Sequence, residues 1–159
     1  MNTFDVHIVS LDPMRVASAY SFGDNPEEQA WNKLALWAKQ KGFLGNNADH
    51  PVFGFNNPNP SSANPKYGYE FWMKVDPSTE PSGDIRIVEF LGGTYAATRC
   101  TAQGDPGRNI PVAWKALAGW CKKNNHRFGH HQPLESVVSG QDNPAELVLD
   151  LYCPIVEPG

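Results

Sequence analysis

The sequence predicts an α+β fold: tandem duplicated strand–helix–strand–strand units that form antiparallel sheet, with the helices on one face. Three observations predict it. Two tryptophan-bearing helical segments, AWNKLALW (Ala30 to Trp37) and AWKALAGW (Ala113 to Trp120), echo each other. Each follows an alternating strand segment, RVASAY (Arg15 to Tyr20) or TYAATR (Thr94 to Arg99), and precedes a Pro-led strand, PVFGF from Pro51 or PLESVV from Pro133. Each half then passes an Asn-Pro turn, Asn57-Pro58 or Asn143-Pro144, and closes on an apolar strand, YGYEFWMKV or LVLDLYCPI.

These echoes divide the single domain, residues 1–159, into repeat one over about 6–75 and repeat two over about 85–156. The stretch between them, DPSTEPSGD at 76–84, is rich in Pro, Ser and Gly and reads as a surface linker. A short leading strand stands before each repeat, VHIVSL and DIRIVEF.

In the first helix Asp24 or Asn25 can cap, Pro26 suits the first helical position, and Glu27 and Glu28 favour the positive end of the dipole. Trp31, Leu34, Trp37 and Ala38 form a broad apolar stripe, and Gly42 ends the helix. In the second, GDPGRN (Gly104 to Asn109) reads as a loop and Pro111 as the start. Trp114, Leu117 and Cys121 line the stripe before Asn124-Asn125 stops it. Stripes of this kind pack helix to sheet, so Trp31 and Trp114 are expected in the core.

Composition narrows the function. The net charge of −4 comes from 13 basic and 17 acidic residues with no basic block, which argues against nucleic-acid binding and fits neutral or cationic partners. Cys100, Cys121 and Cys153 form no Cys-x-x-Cys pair and read as reduced, buried thiols of a cytoplasmic protein. No leader pattern precedes the first strand, and no apolar run approaches the ~20 residues of a membrane span. His126, His130 and His131 lack a Cys or acidic ligand at zinc-like spacing, so surface histidines and no metal or other cofactor are expected. SGQD (Ser139 to Asp142) reads as a turn, and no phosphate-loop spacing occurs.

One residue invites a functional reading: Glu135, set among Leu134, Val137 and Val138 in QPLESVV. Aligning Pro51 with Pro133 places Phe53 on Glu135, so the unit does not itself require an acid there. In the closing strands Glu70 aligns with Asp150 and Trp72 with Tyr152. Alternation turns Leu149, Leu151 and Cys153 towards the helices, and Asp150 and Tyr152 away from them, as it does Glu70, Trp72 and Lys74. If Glu135 joins Tyr152, Trp72 and Phe53 or Phe55 on the face away from the helices, they form an aromatic-walled cavity with one acid. Such a cavity suits a planar organic ligand bearing a cationic or donor group. A solvated carboxylate, or a structural pair with Arg or Lys, are the plainer readings of Glu135.

The A-W-x-x-L-x-x-W helices, LGGTYA (Leu91 to Ala96), PLES (Pro133 to Ser136) and DLYCPI (Asp150 to Ile155) together resemble the GyrI-like small-molecule-binding family. This is the effector-binding domain of AraC-type and BmrR-type regulators, and the resemblance runs from Val6 to Val156. It implies a tandem duplication with a ligand pocket between the halves and a glutamate after a second-repeat proline as acidic anchor, which Glu135 matches. It further implies Tyr152, and with it Trp72 and Tyr95, as pocket aromatics. Regulators of this kind carry an N-terminal DNA-binding domain. Here Met1 stands just before the first strand, so a stand-alone form without direct nucleic-acid binding is expected. The resemblance implies capture of aromatic, often cationic, small molecules, as a multidrug or effector-binding protein. It also implies two alternatives. One is hydrolysis of cyclopropane-type alkylating toxins, with Glu135 polarising a water and Tyr152 supplying a hydrogen bond; the other is inhibition of DNA gyrase.

Overall fold

The computed structural model describes residues 5–45, 48–139 and 143–156. They form eight strands and two α-helices in two compact units, the first Pro13–Leu91 and the second Met1–Asp12 with Gly92–Gly159. The α+β class is as expected.

The first unit contains β2 (Met14–Gly23), α1 (Pro26–Lys41), β3 (Val52–Asn56), β4 (Tyr67–Lys74) and β5 (Arg86–Phe90). Its sheet is antiparallel throughout, in the order β5-β2-β4-β3. Helix α1 begins at Pro26, whose fixed φ and missing N–H suit a first turn, and ends where Gly42 turns left-handed at φ 78°. Its stripe of Ala30, Leu34, Trp37 and Ala38 packs on Ala17 and Ala19 of β2 and on Tyr69, Phe71 and Met73 of β4. The two fully buried alanines add little bulk under the helix, and full burial of Leu34 contributes roughly 1.5–3 kcal/mol. Trp31 sets its ring edge against Phe71 at 5.5 Å, and Trp37 donates its indole N–H to Ser82 Oγ at 3.0 Å.

The second unit contains β1 (Val6–Leu11), β6 (Gly93–Thr101), α2 (Pro106–Lys123), β7 (Leu134–Ser139), a single 3-10 turn (Pro144–Glu146) and β8 (Val148–Pro154). Its order is β1-β6-β8-β7, again antiparallel. Leu117 and Cys121 of α2 pack on Ala96 and Cys100 of β6 and on Leu149, Leu151 and Cys153 of β8, with Trp114 partly buried beside them. Leu149, Leu151 and Cys153 therefore face the helix, as alternation requires.

One expectation needs correction. Helix α2 starts at Pro106, not Pro111, so Pro111 lies inside it and the last four residues of GDPGRN form its first turn. Pro106 is itself a proline at a first helical position, and the Asp105 carbonyl already accepts from the N–H groups of Arg108 and Asn109. Strand β1 pairs with β6 and lies in the second unit, and β5 pairs with β2 and lies in the first. Of SGQD, Gly140 to Asp142 lie outside the described residues.

Candidate functional site

In the first unit the register fixes which side chains share the sheet face turned away from α1. Trp72 lies across from Phe53 on one side and Ser18 on the other, and Ser18 lies across from Arg86. One cross-strand row therefore runs Arg86, Ser18, Trp72, Phe53. In the next row Glu70 lies between Phe55 and Tyr20. Cross-strand neighbours on one face are the side chains that touch.

Their geometry is specific. Phe55 and Trp72 meet edge to face at 4.8 Å, and the Trp72 and Phe90 rings lie tilted at 5.5 Å. Phe53, Phe55, Trp72 and Phe90 are each at most 7% exposed, and Glu70 is 5% exposed among them. Glu70 Oε2 accepts two hydrogen bonds, from Ser18 Oγ and from Trp72 Nε1, both at 2.7 Å. Its other oxygen, Oε1, stands 3.9 Å from the guanidinium of Arg86, within ion-pair reach but too far for a hydrogen bond. A carboxylate withdrawn from water among aromatic rings is costly unless a cation or donors meet it. Two neutral donors and one loosely held cation meet this one.

In the second unit Tyr95, Tyr152 and Leu134 share the face turned away from α2: Leu134 and Ala97 lie across from Tyr152, and Tyr95 across from Pro154. The Tyr95 and Tyr152 rings meet edge on at 5.9 Å. Tyr95 is fully buried and donates its hydroxyl to the Gln132 carbonyl at 2.6 Å, and burial raises its pKa. Tyr152 is partly buried; burial, then Asp150, raise its pKa against the lowering effect of Arg99. Asp150 is held by Arg99, at 3.0 and 3.3 Å to its two oxygens.

Glu135 is not on that face. It lies across from Leu151, on the face where α2 packs against β6 and β8, and is part-buried; its Oε2 accepts the indole N–H of Trp114 at 3.0 Å. The expectation that Glu135 and Tyr152 face one cavity is therefore corrected, and with it their pairing as acid and phenol on one substrate. The cause is a one-residue slip, which reverses a strand's faces. Phe53 lies across from Trp72 but Leu134 lies across from Tyr152, so the counterpart of Phe53 is Leu134. The counterpart of Glu135 is Gly54, which lies across from Phe71 as Glu135 does from Leu151. A Cβ on Gly54 would stand 2.7 Å from Tyr69 Cε1, so the Tyr69 ring occupies the space that a side chain would need there.

Of the expected site residues, Trp72, Phe53 and Phe55 converge in the first unit and Tyr95 and Tyr152 in the second, while Glu135 projects from the opposite sheet face. The acid among the first unit's aromatics is Glu70. Its outward parity is legible in YGYEFWM, where Glu70 and Trp72 alternate with Tyr69, Phe71 and Met73, but its burial is not. Among the described residues no group of three or more His, Cys, Asp or Glu could hold a metal ion, and no helix is long and apolar enough to cross a membrane. All three cysteines are free and buried.

Residues 4–156 match the GyrI-like small molecule binding domain, and the chain belongs to that family. Solved structures share its fold at low identity. The EcmrR C-terminal domain superposes with a TM-score of 0.71 at 16% identity, covering 98% of this chain and 99% of that one. Against EcmrR in its complex with DNA the TM-score is 0.72 at 15% identity, and the match covers 98% of this chain but 58% of that one. A hydrolase from Listeria innocua gives 0.67 at 12% identity, covering 98% and 94%. SAV2435, solved bound to tetraphenylphosphonium, gives 0.57 at 10% identity, covering 96% and 94%. Comparison with curated protein sequences yields no match.

Proposed function

We propose that this small-molecule binding domain captures aromatic organic cations, with Glu70 as the acidic anchor and Trp72, Phe53 and Phe55 as the aromatic wall. The observation that carries the reading is the withdrawn Glu70 carboxylate, fixed by Ser18 and Trp72 at 2.7 Å among those rings. Aromatic faces attract a delocalised cation through their quadrupole, and a desolvated carboxylate adds a charge that water does not screen. A neutral ligand of the same shape gains only the first. A structural relative bound to tetraphenylphosphonium supports a cation of this class as the probe.

Titration with tetraphenylphosphonium tests the proposal. Wild-type protein binds it in the micromolar range, and Glu70→Gln weakens it at least tenfold, which corresponds to about 1.4 kcal/mol. Binding equal in the two proteins refutes the assignment.

Two further points follow from the same geometry. The chain fits a divergent pair of strand–helix–strand–strand copies, in which the acid of the closing strand is Glu70 in one copy and the Arg99-paired Asp150 in the other. Hydrolysis through Glu135 and Tyr152 needs both groups on one substrate, and they project from opposite faces, so the geometry favours binding over that reaction. Three reduced, buried thiols suit a cytoplasmic setting.

A further inference from the structure

We infer that the outward face of α2 is a docking surface for an acidic amphipathic helix of another protein. The inference is independent of where the small molecule binds.

Residues 106–134 hold five basic side chains, Arg108, Lys115, Lys122, Lys123 and Arg127, and no acidic one. The rest of the chain has eight basic and 17 acidic residues, a net charge of −9. Along the sequence these cations are scattered and form no block; the helix gathers them. Arg108, Lys115 and Lys122 recur every seven residues, so a rise of about 1.5 Å per residue sets them in one row about 21 Å long. Val112 and Gly119 fill the gaps, and the row then advances by alternating steps of four and three residues. That is the seam spacing of two helices packed side by side. All five residues of the row are exposed, while Leu117 and Cys121, on the opposite side of the helix, are buried. The seam therefore points away from the sheet.

Contacts within the chain do not account for this face. Arg15, Arg86 and Arg99 each come within ion-pair reach of a carboxylate, but among the described residues no ion pair involves Arg108, Lys115 or Lys122. Lys122 instead lies over the Phe128 ring at 6.0 Å. Arg108 sits in the first turn, where the helix dipole favours acids and where α1 has Glu27 and Glu28. Glycine is a poor helix former, yet a Cβ on Gly119 would meet nothing within 4 Å, so no neighbour in the chain requires glycine there. Its bare backbone lets an outside helix come close. Val112, 61% exposed, offers that helix an apolar contact between two cations.

The row selects its occupant. Cations about 10.5 Å apart are matched by carboxylates at the same seven-residue interval, which a second helix supplies. A nucleic acid or an anionic membrane would extend past the row and meet a chain that carries −9 elsewhere, whereas a short helix covers the row alone. A second copy docking through the same face would set like charges against each other.

Fluorescence anisotropy tests the inference. The probe is a labelled synthetic helix of about three heptads, with Glu at every seventh position and Leu between them. Its control has the same composition with the glutamates spread around the helix. Wild-type, Lys115→Glu, Lys115→Gln and Lys39→Glu proteins are titrated, the last placing the same charge change on an exposed lysine of α1. Wild-type protein is expected to prefer the probe to the control by about tenfold or more, and rising salt weakens the binding. Lys115→Glu is expected to lose about tenfold and Lys115→Gln about threefold, with Lys39→Glu within about twofold of wild type. Far-UV dichroism checks that each variant is folded, and Lys115→Gln carries the test if Lys115→Glu is not. Equal binding of probe and control, an equal loss in Lys39→Glu, or no binding at all overturns the inference. Tighter binding of a random-sequence DNA duplex at the same salt also overturns it and assigns the row to nucleic acid. Self-association of the wild type in sedimentation, lost in Lys115→Glu, overturns it in favour of a second copy.

Discussion

Trp72 donates its indole N–H to the Glu70 carboxylate at 2.7 Å, from two residues further along the same strand. Residues so spaced share a face, so β4 supplies both the ring and the charge of the proposed site without help from a loop. The bond also fixes the plane of the indole between Phe55 and Phe90.

That arrangement sets stability against binding. Glu70→Gln keeps an acceptor for Ser18 and Trp72 while removing a charge withdrawn from water. Its folding stability is expected to equal that of wild type or exceed it by about 1 kcal/mol. Glu70→Leu strands both donors and is expected to cost roughly 1–3 kcal/mol for each one left buried. Urea unfolding of the three proteins checks this. A Glu70→Gln protein less stable than Glu70→Leu contradicts it.

Glu135 accepts a hydrogen bond from α2. Trp114→Phe preserves most of the packing of α2 on its sheet but removes the indole donor to a carboxylate, a bond worth about 1.5–3 kcal/mol. A loss of that size in unfolding free energy is expected, with phosphonium affinity within twofold of wild type. Were Glu135→Gln to abolish binding in a folded protein while Glu70→Gln did not, the anchor would move back to Glu135.

The two outcomes for Glu70 and Glu135 show where the sequence was legible. Periodicity located both helices, the strands around them and the outward parity of Trp72 and Tyr152, because these depend on local alternation. The face of Glu135 depends on how β7 registers against β8, which no local pattern encodes. Pro51 and Pro133 are similar in sequence but differ by one position in register, and one position reverses the face. The pairing of β1 with β6 and of β5 with β2 joins residues far apart in the chain and was hidden for the same reason. Glu70 was visible as an acid on the right face. Its burial and its two neutral donors arise only once β2, β3 and β4 lie side by side.

Gly93, in the LGGTYA stretch, has a packing role. Its φ of 156° is one that side chains seldom adopt, and an added Cβ would lie 2.6 Å from His131 Cδ2. His131 cannot retreat freely, because its Nε2 is 2.7 Å from the Thr94 carbonyl and its ring rests against Tyr95 at 4.8 Å. Gly93→Ala is expected to destabilise by more than about 1 kcal/mol, from backbone strain together with the displaced ring. A thermal midpoint unchanged from wild type would show that β6 absorbs the methyl group.

The three thiols make a prediction in pH. Burial pushes Cys100, Cys121 and Cys153 above their ordinary value of 9.0, with Glu135 adding to the effect at Cys100 and Cys121 at Cys153. Cys153 is pushed up to about 12. Between pH 9 and that value the folded protein keeps protons that the unfolded chain releases. Stability therefore holds below pH 9 and falls as the pH rises above it. Thiolate, not thiol, is the nucleophile, so a disulfide reagent at pH 8 should find no fast-reacting cysteine in the native protein and three after unfolding. Unfolding free energies between pH 8 and 10.5 should slope downward, and less steeply in Cys153→Ala. One rapidly modified native thiol, or a flat profile in wild type, would show that water reaches the cluster beneath α2.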